Sequence, residues 1–268
     1  MFEFHSDRKR YFEIQIANAK KHVLPFIEEV SPIKPGTRVL EIGCGEGGVL
    51  KAFTDKGCTG VGVEFDAIRI ENGTEWLSED IQAGKIRFIT KDIYDTDVEK
   101  DLGGSFDIIV LKDVIEHIHD QPRLIGWMKQ FLNPGGTIFL GFPPWQMPFG
   151  GHQQMCHNKW LSKLPWYHLL PRFAYKALLK RFNEPVEHLL EIRDTGISIE
   201  KFERIVKQQA YTIVNRKHYL INPIYEWKFG WKAKKQFPLI SSIPWFRNYL
   251  TTCVYYLITA NNVAPSRD

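Results

Sequence analysis

Three short runs carry the side chains best suited to chemistry. Glu41-Ile42-Gly43-Cys44-Gly45-Glu46-Gly47-Gly48 is a β-type apolar run that breaks into glycines and resumes as a helical pattern. In open α/β sheets that is where ligands bind. Gly43, Gly45 and Gly48 satisfy G-x-G-x-x-G, a weak signal alone because glycines at such a turn also serve tight packing. Glu64 ends a second apolar run, 17 residues beyond Gly47, where a carboxylate can accept both hydroxyls of a ribose. Asp92 follows a third run in Thr90-Lys91-Asp92-Ile93. Three acids at consecutive strand ends are costly to bring together unless something cationic or rich in donors sits among them. A nicotinamide or flavin dinucleotide would set a pyrophosphate against the same glycines. Glu41, two residues before Gly43, would face that anion badly and suits the cationic amino group of an amino-acid-bearing cofactor.

The elements that must position these residues follow from the patterning. Residues 6–30 read as one helix, with Phe12, Ile16, Ala19, Val23, Ile27 and Val30 on a face and Pro25 as a kink. Residues 38–42, 60–64, 86–90, 106–111 and 137–142 are β-rich runs separated by helical patterns, and that alternation argues a parallel sheet covered by helices. Ile68, Ile70, Trp76, Leu77 and Ile81 mark one such helical pattern, and Leu124, Trp127, Met128 and Phe131 another, which Asn133-Pro134-Gly135-Gly136 closes as a turn. Regularity stops at Pro143-Pro144-Trp145, and residues 143–196, rich in aromatics, histidine and proline, read as an insertion. Ser198 is an N-cap with Glu200 in the first turn, leading a helix to strands at 211–214 and 252–260. The connection 222–248 is long enough to suggest a functional or mobile segment.

Taken together, Glu41-Ile42-Gly43-Cys44-Gly45-Glu46-Gly47, Gly62-Val63-Glu64, Lys91-Asp92-Ile93, Phe106-Asp107-Ile108-Ile109 and Asn133-Pro134-Gly135-Gly136-Thr137 resemble, in order and spacing, the class I S-adenosylmethionine-dependent methyltransferases. The resemblance covers residues 35–142 and is specific as a set. It implies a doubly wound, mostly parallel seven-stranded α/β sheet with helices on both faces, an antiparallel last strand, and a cap inserted after the fifth strand. It implies S-adenosylmethionine as cofactor and S-adenosylhomocysteine as product. Glu41 matches the acid that orients the methionine part, beside Gly43, Cys44 and Gly45. Glu64, followed by Phe65, matches the ribose-binding acid. Asp92, with Ile93, matches the acid that holds the adenine amino group, and residues 111–113, including Lys112, match the segment against the methionine end. The expected organisation is an N-terminal helical segment (1–30), a cofactor domain (31–142 and 197–262) and a cap (143–196).

Methyl transfer from a sulfonium is an in-line displacement, so the protein's task is to align the reactants and exclude water. A base helps when the acceptor is a hydroxyl or a protonated amine. Candidates lie in Lys112-Asp113-Val114-Ile115-Glu116-His117 and in Gly150-Gly151-His152-Gln153-Gln154. His152, in a polar loop, is favoured as the active-site group. Asp113 and His117 stand beside it as catalytic candidates, with helix-start packing an equal reading for His117. His157, His168 and His188 read as structural. Methyltransferases acting on base amines place an Asn/Asp-Pro-Pro-aromatic run after the fourth strand; here Pro143-Pro144-Trp145 follows the fifth, which disfavours that chemistry. No metal is expected.

Composition bounds the partners. The 268 residues are 44% hydrophobic and 25% charged, which excludes collagen, coiled coil and a wholly disordered chain. No apolar run approaches the ~20 residues of a membrane-spanning helix, and the charged N-terminus does not read as a signal peptide. Cys44, Cys58, Cys156 and Cys253 show no C-x-x-C pairing, so a reducing, cytoplasmic setting is expected. The net charge of +4 hides an asymmetry, −6 over residues 31–150 against +10 over 151–268, where 19 of the 36 aromatic residues also lie. That points to an anionic surface or substrate. The expected acceptor is a small molecule, saccharide or lipid-linked compound methylated on oxygen. The amphipathic segment 160–182 reads first as a helix packed on its own domain, with a substrate lid or peripheral contact with a membrane surface as the competing readings. A nucleic-acid partner is the alternative, without a recognisable RNA-binding module to support it.

Overall fold

A computed structural model describes residues 7–261. The first and last few residues of the expected N-terminal and cofactor segments, 1–6 and 262, lie outside the described residues. In chain order the elements are α1 (Arg8–Asn18), a π-helical turn (Ala19–Val23), α2 (Leu24–Glu28), β1 (Arg38–Ile42), α3 (Gly48–Thr54), β2 (Thr59–Glu64), α4 (Ala67–Trp76), α5 (Ser78–Gln82), β3 (Ile86–Thr90), β4 (Phe106–Lys112), α6 (Gln121–Trp127) and β5 (Leu132–Phe142). Then follow α7 (Arg172–Arg181), α8 (Val186–Thr195), α9 (Ile199–Gln208), β6 (Tyr211–Ile221), α10 (Tyr225–Phe229), β7 (Lys234–Lys235), α11 (Pro238–Ser241), α12 (Arg247–Leu250) and β8 (Cys253–Ala260).

The strands form one sheet in the order β3-β2-β1-β4-β5-β8-β6-β7. β1 to β5 are parallel, and β8 runs antiparallel between β5 and β6. The period-2 geometry of a strand assigns its residues to two cores. Leu40, Ile42, Ile109, Leu111, Ile138, Leu140, Val254, Tyr256 and Ile258 face α6 and α9. Val39, Ile108, Val110, Phe139, Tyr255 and Leu257 face α1, α2 and α3. Burial on both faces is why these strands read as near-continuous apolar runs. α9 shows the helical counterpart: Ile199, Phe202, Ile205 and Val206 fall on one buried face, each worth roughly 1.5–3 kcal/mol of burial. Ser198 caps it by accepting from Lys201 N at 3.0 Å.

Several expectations are corrected. The sheet has eight strands rather than seven, because Lys234–Lys235 adds an edge strand to β6. The N-terminal helix is interrupted by the π-helical turn one step before Pro25, which sits in the first turn of α2 where its missing N–H costs nothing. Val30 is exposed instead of completing the buried face. Asn133-Pro134-Gly135-Gly136 does not precede β5 but lies within it as a bulge: Leu132 pairs with Phe106 and Thr137 with Ile108. The amphipathic segment 160–182 is a helix only over α7, because Pro165 and Pro171 break the remainder into 3-10 turns.

The cap has a small core of its own, made by Cys156, Leu161, Tyr167, Tyr175, Leu179, Leu189, Leu190 and Ile192, with Trp145 packed against it. Its two ends meet where Trp145 N donates to Ile197 O at 2.8 Å. Glu184, buried, accepts from the backbone N–H groups of His157 and Asn158, both at 2.8 Å, and ties the cap's loops to its helices.

Candidate active site

The sheet order reverses between β1 and β4, and the carboxyl ends of the strands there open a crevice. Gly43, Gly45 and Gly47 at the end of β1 have φ of 69°, 53° and 80°, the left-handed region that favours glycine. A Cβ on Gly43 would lie 2.6 Å from Val114, and one on Gly47 2.7 Å from Phe88, so the loop also presses close to its neighbours. Cys44 turns its thiol inward, where the Cβ of a residue at Gly62 would strike it. Its side chain packs the core, leaving only its backbone to the crevice.

Glu41 is 4% exposed, and its Oε2 accepts from Leu50 N at 3.2 Å. Burial pushes its carboxyl up to about 8, Leu50 N–H and Lys112 acting against the rise and Glu64 adding to it. Glu64 is buried and turned onto the glycine loop: Oε2 accepts from Gly45 N at 3.0 Å, and Oε1 from Phe65 N at 2.9 Å and Asp66 N at 3.1 Å. A carboxylate has about four acceptor positions, so ribose hydroxyls would share this group with the loop. Phe65 projects into solvent beside it. Asp92 is exposed and caps a short 3-10 turn by accepting from Tyr94 N at 2.9 Å. Ile93 buries its side chain in the core, so only its backbone is available.

β4 delivers the second group. Lys112 is buried, and its ammonium pairs with the Asp113 carboxylate. Burial opposes that charge, yet Asp113 holds the lysine above its ordinary value. Asp113 has a left-handed backbone, φ 57°, and donates its N–H to Gly141 O at 2.7 Å. The following turn presents Glu116, buried, and His117. Gln121, also buried, fixes that turn to the cap by donating to Ile115 O at 3.1 Å and Thr195 O at 2.6 Å. His152 has a left-handed backbone, φ 53°, at the start of a 3-10 turn in the cap, and its ring lies 5.1 Å from that of His117. Burial lowers the His117 imidazole, against the pull of Asp113, and raises the Glu116 carboxyl well above its ordinary value, with Asp113 adding to the rise.

Glu41, the glycines, Glu64, Lys112 and Asp113 therefore meet at one edge, and His117 meets His152. His168 is structural: it is buried, bonded to Gln153 at 2.7 Å and to Trp145 O at 2.8 Å, and burial drives it down to about 4. The sequence reading did not single out Tyr11 or Lys228, and it named Glu116 only as part of the run 112–117. Tyr11 interacts electrostatically with Lys112, Asp113 and Glu46, and Lys228 lies 4.9 Å over the Tyr11 ring. Burial lowers the Lys228 ammonium to about 8, with Asp113 opposing and Lys112 reinforcing. The clue for Lys228 was the aromatic-basic run around 225–235; Tyr11 had none beyond its place on α1, the helix that crosses the loop.

The fold and the edge site together define an α/β methyltransferase. Residues 14–189 match the family model of the methyltransferase domain, well over half of the chain, and the chain belongs to that family. It is 30% identical over 149 residues to an uncharacterized methyltransferase of Mycobacterium sp. (strain KMS), covering 55% of this chain and 56% of the relative. It is 29% identical over 122 residues to the ubiquinone biosynthesis O-methyltransferase of Coxiella burnetii (strain Dugway 5J108-111), 44% of this chain and 47% of the relative. The matches thus span about half the length of these relatives. A solved geranyl diphosphate methyltransferase in complex with S-adenosylmethionine superposes with a TM-score of 0.57 at 17% identity, over 92% of this chain and 85% of that one.

Proposed function

We propose that the chain is an S-adenosylmethionine-dependent methyltransferase acting on oxygen of a lipid-linked acceptor. The observation that carries this is the buried Glu41 carboxyl beneath a left-handed glycine loop, with Glu64 at the end of the next strand. The residues fit the cofactor: burial holds the Glu41 carboxyl up to about 8 although Lys112 pulls it down, and an amino-acid ammonium placed against it would supply a direct counter-charge. Glu41 would take the amino-acid end, the backbone of residues 43–45 the centre, Glu64 the ribose, and Phe65 an exposed apolar face beside it. Bound there, the cofactor supplies an electrophilic methyl group.

The chain's residues do the rest. α1 and the cap exclude water, while Lys112–Asp113 stays internally paired and His117, His152 and Glu116 form the polar wall that faces the acceptor. Oxygen as acceptor is supported by the ubiquinone O-methyltransferase relative. A lipid-linked acceptor, with peripheral contact to an anionic membrane surface, is supported by exposed apolar side chains in the segments leaving this edge: Trp160 at 85% and Phe173 at 79% in the cap, Leu239 at 73% and Trp245 at 58% in the 222–250 connection. No helix of the described residues is long and apolar enough to cross a membrane.

Calorimetric titration with S-adenosylhomocysteine should show one site, weakened at least tenfold in Glu64→Ala. Turnover should appear with prenylated phenols, and KM should fall as the chain lengthens. Unchanged affinity in the variant removes the ribose assignment, and turnover confined to RNA overturns the acceptor.

A further inference from the structure

Glu116 and His117 come from the turn after β4, His152 from the cap, and one ligating atom from each lies within 4.8 Å of the others. Glu116 is 5% exposed, and its Oε2 is buried with no hydrogen-bond partner. A carboxylate oxygen in that position is costly unless a cation or a proton answers it. The two imidazoles are tilted by 59° rather than stacked, so their nitrogens can converge on one point beside the carboxylate. The adjoining charge is already balanced, because Lys112 is paired with Asp113.

We propose that Glu116, His117 and His152 form a site for one divalent transition cation of the zinc type, with open positions facing the acceptor. Two imidazoles and one carboxylate suit zinc, iron(II) or cobalt(II) better than magnesium, which prefers an all-oxygen shell. Ligands about 2.0–2.2 Å from such an ion stand roughly 3–4 Å apart, so side-chain rotations closing the set by about 1 Å would complete it. The site joins the cap to the sheet, and a cation there would hold the cap closed over the cofactor edge.

The proposed role rests on the methyl-transfer reading. The acceptor hydroxyl would occupy an open position and release its proton to water; its oxygen pair would then form the bond to the methyl carbon as the carbon–sulfur bond breaks onto sulfur. The histidines would then be ligands, and a base role for either would be excluded.

The test uses the full chain stripped with a chelator, then titrated with Co2+ followed by its visible spectrum, and with Zn2+ by calorimetry. One equivalent of each should bind. Glu116→Gln, His117→Ala and His152→Ala should each weaken it at least tenfold, while His157→Ala, elsewhere in the cap, should not. Affinity for S-adenosylhomocysteine and the far-ultraviolet circular dichroism of each variant establish that it is folded. No Co2+ uptake by the wild-type chain, or uptake indifferent to the three variants, overturns the site. Co2+ uptake without any cofactor binding would instead sink the methyl-transfer reading and leave the site standing.

Discussion

Glu41 carries an unusual charge state for an acid at pH 7. In the unfolded chain its carboxyl ionises near the ordinary value of 4.5, whereas in the folded chain burial holds it to about 8. Folding therefore retains a proton through that window, and the group's contribution to stability falls as pH rises from about 4.5 to about 8. An ammonium placed against Glu41 reverses the preference. Binding of S-adenosylmethionine at pH 7 should then release close to one proton, and its Kd should fall by up to ~10-fold per pH unit between about pH 6 and 7.5. Calorimetry in two buffers of different ionisation heat reads the proton count directly. Glu41→Gln should bind more weakly and release almost none. Proton uptake, or release that survives the substitution, would contradict the placement of the ammonium.

At the scale of elements, α10 acts as a strap on the π-helical turn that follows α1. Glu226 accepts from Lys21 Nζ at 2.7 Å and from Ala233 N at 2.9 Å, with His22 Nε2 at 3.4 Å. Desolvation opposes its charge, but these partners prevail and hold the carboxyl down to about 2. A depressed carboxyl contributes stability above its unfolded value of about 4.5 and loses that contribution as pH falls through its folded value. Lys21 is largely exposed, so screening reduces the effect. Glu226→Gln should cost about 1–2 kcal/mol at pH 7, a drop of ~2–6 °C in Tm, and the gap should be roughly halved at pH 3. Melts at the two pH values check it; a gap that widens on acidification would refute the strap.

The elements also show what patterning can reveal. β1, β2 and β4 were legible because burial on both faces leaves apolar runs with turn residues at their ends. β6 was read only to Val214, because Asn215, Arg216, Lys217 and His218 are polar, although they pair with β8 throughout. The glycine loop and its acids were legible because their partners lie close in sequence. The meeting of His117 with His152, and of Tyr11 with Lys228, depends on where the cap, α1 and α10 come to rest. No local pattern encodes that.

For the whole molecule, chain direction puts the basic, aromatic-rich segments at the same edge as the candidate site. β6 runs parallel to β5, since both are antiparallel to β8, so the 222–250 connection leaves from the same edge as the cap and the cofactor site. That connection exposes Trp231, Phe237, Leu239 and Trp245 among Lys232, Lys234 and Lys235, and the cap exposes Trp160 and Phe173 near Arg172, Lys180 and Arg181. Apolar rings give depth in a lipid interface and the cations attract its anionic headgroups, each lysine or arginine adding about 1 kcal/mol near the surface. The chain should therefore cosediment with phosphatidylglycerol vesicles and much less with phosphatidylcholine. Added salt should release only part of it, because the ring contribution is not screened. Leu239→Ser with Trp245→Ser should cut vesicle binding at least ~10-fold, corresponding to about 1.4 kcal/mol, while turnover on a short-chain phenol in solution stays unchanged. Binding abolished by moderate salt and competed away by RNA would mark the basic half as a phosphate-backbone surface instead, since counterion release makes that association fall steeply with ionic strength.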